Sequence, residues 1–168
     1  MSINHFIAGQ VYVKVYGWKF IYRPYNVRET SYITFRLRGG GYSHVALVSD
    51  KNSDIRRDSS YLFVIGGWRN KQCALRKTGV FTTPELKTAP LADGYYIYSQ
   101  EYHSFWISWA DHNISLGHGA EVGKSVIFSY DDQAAPLAIN HIAFGSNQDN
   151  SNWFKYYNGR DMSVILHF

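Results

Sequence analysis

Planar amides, carboxylates and aromatic rings fall into two sets along this chain. One comprises His118, Glu121, Asn147, Gln148, Asp149, Asn150 and Asn152, with Trp153 just beyond. The other is the turn Trp68-Arg69-Asn70. Such side chains suit a sugar: hydroxyl groups need donors and acceptors of fixed direction, and the apolar face of a pyranose stacks on an aromatic ring. The competing reading is that Asn, Asp and Gly make turns through bonds to their own backbone, with Trp153 in the core. Other chemistry is thinner. Seven histidines are spread along the chain without a His-x-x-x-His or Cys-x-x-Cys pair, which predicts no metal site. His44 and His141 fall in strand patterns and read as satisfied histidines. Ser108 lacks a Gly-x-Ser-x-Gly elbow, and Asp131-Asp132 reads as a turn rather than an acid-base pair. Cys73 is the single cysteine, so no intrachain disulfide forms; it reads as a small buried side chain.

The elements that must hold these residues are strands. Aromatic content is 17%, with fourteen tyrosines, and Gly punctuates short β-branched and aromatic runs. Phe105-Trp106-Ile107-Ser108-Trp109 is too apolar for an exposed strand and belongs mid-sheet; it turns at Asp111-His112-Asn113 and returns through Ile114 to Leu116. Val11–Tyr16, Trp18–Arg23, Ser31–Leu37, Ser43–Val48, Tyr61–Gly66 and Gln72–Lys77 also read as strands. So do Tyr95–Tyr98, Ser125–Tyr130, Ile139–Gly145, Trp153–Tyr157 and Ser163–Phe168. In the Ser31–Leu37 strand, Ile33, Phe35 and Leu37 share one face. Ser49–Ser60 reads as a surface loop, Gly67–Lys71 as a turn, and Thr78–Asp93 as a long irregular connection. The sum is an all-β, antiparallel β-sandwich or jelly-roll-like double sheet, expected to form one domain over residues 1–168.

Net charge is +4 with scattered cations, which argues against nucleic acid. No run approaches membrane-spanning length. The opening MSINHFIAGQVYV lacks a signal-peptide pattern, leaving a cytoplasmic chain or a secreted chain already processed. Asn113-Ile114-Ser115 is a glycosylation sequon, meaningful if the chain is secreted.

A series of motifs runs through the chain in order: Ser43-His44-Val45-Ala46-Leu47, Val64-Ile65-Gly66-Gly67-Trp68-Arg69-Asn70, Arg76-Lys77, Pro84-Glu85-Leu86, Phe105 to Trp109, Leu116-Gly117-His118-Gly119, Glu121-Val122-Gly123, Pro136-Leu137 and Asn140-His141-Ile142-Ala143-Phe144. This order resembles the farnesoic acid O-methyltransferase-like domain, an animal module, over about residues 22–157. Two strings depart from that pattern. Gly117-His118-Gly119 stands where relatives often carry Gly-Arg-Gly, and Gly145-Ser146-Asn147 where they often carry Gly-Trp-Gly, so the ligand here is expected to differ. The family name implies methyl transfer, but the residues do not. A methyl-donor nucleotide site normally needs a Gly-rich turn from a strand into a helix, whereas Gly39-Gly40-Gly41 leads into another strand.

An up-and-down order after Phe105 places the His118–Lys124 and Ser146–Asn152 loops at one end and the Asp111 and Asp131–Pro136 loops at the other. The sequence does not constrain which end the Trp68 turn joins. The expectation is a non-enzymatic, cofactor-free, lectin-like module whose partner is a carbohydrate or glycan bound through end loops. The alternative is a protein-interaction or structural module without a small ligand. Val11–Tyr22 is long and aromatic, and either completes the sheets or supports a homo-oligomer, which would make weak sugar sites multivalent.

Overall fold

The computed structural model describes residues 10–16, 21–23, 30–78, 84–146 and 151–157. Two antiparallel sheets face each other. The strands are β1 (Gln10–Tyr16), β2 (Ile21–Arg23), β3 (Tyr32–Gly39), β4 (Ser43–Val48), β5 (Ser60–Gly66), β6 (Gln72–Thr78), β7 (Lys87–Pro90), β8 (His103–Ser108), β9 (Asn113–His118), β10 (Val126–Asp131), β11 (His141–Ser146) and β12 (Ser151–Tyr157). The first sheet runs β1-β12-β3-β8-β9-β10 and the second β2-β11-β4-β5-β6-β7. The all-β antiparallel sandwich read from the sequence is the observed fold. The expected strand at Ser163–Phe168 lies outside the described residues.

Period-two patterning decides which side chains meet between the sheets. On β3, Ile33, Phe35 and Leu37 are buried while Tyr32 and Arg36 are exposed. They join Phe105, Ile107, Leu116 and Phe154 of the same sheet and Val45, Leu47, Phe63, Ile65 and Phe144 of the other in one core. Near-continuous apolar runs are covered on both faces. On the outer side of the second sheet, Ala46, Val48, Leu62 and Ala143 are capped by Ile55. The 49–59 loop is therefore more than solvent-facing: Ile55 plugs it onto the sheet, a burial contributing about 2 kcal/mol. The central position expected for the Phe105 strand holds, since β8 pairs with β3 and β9. Its outward Trp106 is buried by the loop after β9. The indole Nε1 donates to the Lys124 carbonyl at 2.8 Å.

Two segments differ from the sequence reading. The Thr78–Asp93 connection contains β7, which pairs with β6 as an edge strand. Lys87-Thr88-Ala89-Pro90 has little apolar signal, because edge strands carry Lys and Pro that blunt further pairing. Tyr95–Tyr98 is not a strand. Its alternating aromatics resemble one, but the segment crosses the open end of the sandwich with Ile97 buried.

Candidate functional site

The turn from β5 to β6 is built from an unusual backbone. Gly66 has φ 70°, and the non-glycine residues Trp68, Arg69 and Asn70 follow at 49°, 62° and 66°. Side chains in this left-handed region cost about 1–2 kcal/mol each. The cost is met by Asn70. Its Oδ1 accepts the Ile97 N–H at 2.9 Å, and its Nδ2 donates to the Ile97 carbonyl at 2.8 Å. The amide thus stands in for a neighbouring strand. On the other flank the Tyr42 N–H donates to the Gly66 carbonyl at 2.9 Å. Tyr42 is itself left-handed, φ 47°. Its ring lies 6.5 Å from that of Trp68, tilted by 35°. Trp68 is held outward, 37% exposed, beside the exposed Arg69.

The same 95–98 crossing carries Tyr95, which stacks on His118 with ring centroids 3.8 Å apart and planes 11° from parallel. The Trp68 turn and the His118 loop therefore share one end, the relationship the sequence left open. His118 forms the floor of this end. It is buried, it also meets Phe105, and its Nε2 has no hydrogen-bond partner among the described residues. Burial, and then the neighbouring His103, hold its pKa below the usual histidine value, so the ring is neutral at physiological pH. Glu121 is exposed in the following loop.

Asn152 is fully buried and structural: its Nδ2 donates to the Gly41 carbonyl at 3.0 Å and to Ser146 Oγ at 2.6 Å. Trp153 stands half-buried on the outer face of the first sheet, against Arg38, rather than in the core. Asn147, Gln148, Asp149 and Asn150 lie outside the described residues; β11 ends and β12 begins at this same end. Sequence reasoning missed Tyr42, Tyr95 and Tyr98, the last 51% exposed. For Tyr95 and Tyr98 the signal was the local density of tyrosine, which was read as strand.

The opposite end holds two clefts. One, of about 720 Å³, is lined by Asp50, Asn52, Arg57, Asp58 and Leu137. The other, of about 390 Å³, is lined by Tyr61, Trp109, Asp111, His112 and Leu137. The acids of the 49–59 loop already cap backbone amides: Asp50 accepts from Asn52, Asp54 from Arg56, and Asp58 from Asp54. These bonds shape the loop. Among the described residues no three His, Cys, Asp or Glu side chains group as a metal site, and no helix is long and apolar enough to cross a membrane.

Known proteins resemble this chain in sequence or in fold. A protein of the abalone Haliotis asinina, "Uncharacterized protein 5", is 26% identical over 125 residues, 74% of this chain and 67% of that one. Among solved structures, carbohydrate binding module CBM66 from Bacillus subtilis superposes with a TM-score of 0.55 at 10% identity, covering 88% of this chain and 94% of that one. The exoplasmic/lumenal domain of VIP36, in a calcium- and mannose-bound form, gives 0.56 at 7% identity, covering 89% and 80%. At such identities the likeness shows the fold. The farnesoic acid O-methyl transferase family model matches residues 14–158, and the chain belongs to that family.

Proposed function

We propose that this protein is a carbohydrate-binding module that reads glycans at the rim made by Tyr42, Trp68, Arg69 and Asn70, with Tyr95 and His118 beneath. The observation that carries this reading is the left-handed run that presents Trp68. A turn serving only to join β5 and β6 would relax with glycine at these positions. Strained non-glycine backbone persists where the surroundings over-determine it, and it clusters at ligand clamps. Here the strain holds an aromatic face outward beside a guanidinium, the pairing that stacks a pyranose and bonds its hydroxyls. The carbohydrate-module and mannose-bound neighbours support the reading. A glycan array probed with the wild-type chain and with Trp68→Ala tests it. Wild-type capture that the variant loses is expected; capture of no glycan by the wild type overturns it.

The module acts, in this reading, without catalysis. Its antiparallel sheets, among the described residues, offer no parallel strand leading into a helix to seat a nucleotide-type methyl donor. Calorimetric titration with S-adenosylmethionine should give no binding heat, and a saturable isotherm would restore the enzymatic reading. Self-association is part of the proposal, because among the described residues β1 is the last strand of its sheet, an edge that a second copy could extend. Light scattering at rising concentration reports it as a mass increase.

A further inference from the structure

The outer face of the first sheet carries a separate feature. Arg36 and Arg38 are two positions apart on β3 and so share a face, about 7 Å from one another. Their register partners on β12 are Lys155 and Trp153. The Arg38 guanidinium lies 5.0 Å from the Tyr102 ring centre and 4.9 Å from that of Trp153, between the two. Arg36 lies 5.5 Å from the Tyr102 ring. Arg38 spends one Nη on the Ser99 carbonyl at 3.2 Å, while its buried Nε has no partner. Among the described residues neither guanidinium is paired with a carboxylate.

Stacking on a ring uses the face of a guanidinium and leaves its in-plane N–H donors aimed outward. It also fixes the fork in advance, so little side-chain entropy is lost when an oxyanion docks. Lys155 adds a third cation opposite Arg36. The natural complement is a chain of anions spaced along a strand direction.

We propose that this face is a second binding surface, taken by a sulfated polysaccharide. A sulfate ester stays ionised at every accessible pH and presents several oxygens that a guanidinium fork can clasp from either position. Nucleic acid fits less well. The rings that would stack the bases of a single strand are already covered by guanidinium groups, and three cations fall short of the long basic stripe that a duplex backbone needs. The proposal goes beyond the rim site, since it needs charge and not Trp68. Only the choice of a saccharide as carrier of the anions rests on that reading.

Calorimetry of the full chain with heparin, chemically desulfated heparin and duplex DNA of matched charge tests it. Heparin should bind in a salt-dependent way, and desulfated heparin about tenfold more weakly or less. Arg36 is exposed, so Arg36→Gln should keep the fold, checked by circular dichroism. It should weaken heparin about tenfold, the size of one charge-assisted hydrogen bond, while Arg36→Lys should recover only part of the loss. Trp68→Ala should leave heparin binding unchanged while abolishing capture on the glycan array, which separates the two sites. Absence of heparin binding, indifference to Arg36→Gln, or equal binding of duplex DNA would overturn the proposal.

Discussion

The hydroxyl of Tyr61, on β5 of the second sheet, donates to the carboxylate of Asp132, which follows β10 of the first. Lys77 Nζ reaches the same Asp132 Oδ2 at 2.7 Å and also the Ala135 carbonyl. The Leu137 N–H donates to the Tyr61 hydroxyl at 3.0 Å. One buried carboxylate thus ties the sheets together at the end opposite the rim. Burial first, and then Asp132, raise the tyrosine pKa beyond its ordinary range, so the hydroxyl stays a donor. Asp132→Asn leaves Lys77 without its counter-charge and should cost about 3 kcal/mol in urea unfolding. Tyr61→Phe removes a donor and an acceptor and should cost about 1–3 kcal/mol. Wild-type midpoints in both would refute a clamp here.

The strained turn sets stability against binding. Arg69→Gly, at φ 62°, should stabilise by up to about 1 kcal/mol, the relief of a left-handed side chain less the extra unfolded-state entropy of glycine. Trp68→Gly should stabilise to a similar degree and abolish glycan capture. Destabilisation by both would mean that the side chains, not the backbone, hold the turn.

Acid should weaken the fold through His44. Burial, and secondarily Arg76, lowers its pKa from 6.5 to about 4. The folded value lies below the unfolded one, so the neutral ring is what folding favours. Its contribution is complete above the unfolded pKa, is lost as pH falls from 6.5, and levels off below about 4. The loss is on the order of 3 kcal/mol. His118 acts with the same sign. His44→Leu should flatten the fall of urea stability across this window; an unchanged slope would assign it elsewhere.

Cys73 is fully buried on β6, and burial pushes its thiol pKa up to about 12. A thiol-alkylating probe at mildly alkaline pH should therefore react only after denaturation. Rapid labelling of the native chain would show that β6 opens.

Gly117 is required by its neighbour. A Cβ there would lie 2.2 Å from Trp106 Cε2. Gly117→Ala should cost about 1–3 kcal/mol by overpacking, read from the thermal midpoint. A neutral outcome would mean that Trp106 swings away freely.

The sheets were legible because period-two patterning is a property of the strand itself. Ile33, Phe35 and Leu37 declare their face without reference to any partner. β7 was not, because an edge strand owes its place to β6 and carries the polar residues that protect a margin. Tyr95–Tyr98 misled for the converse reason: its alternation serves two different neighbours, Asn70 at Ile97 and His118 at Tyr95. At the rim, Trp68, Arg69 and Asn70 stood out by residue type. That they share an end with the His118 loop depends on a crossing segment whose alternating aromatics imitate a strand, and that Trp153 faces outward depends on its register with Arg38.

β12 lies between β1 and β3, and β11 between β2 and β4. Strands made last are thus wedged among strands made first, and neither sheet is whole until most of the chain has emerged from the ribosome. Through that interval the flanks of β3 and β4 stand bare, inviting the wrong neighbour. Production of this protein should accordingly depend on slow synthesis, low temperature or chaperone supply more than its finished stability would suggest.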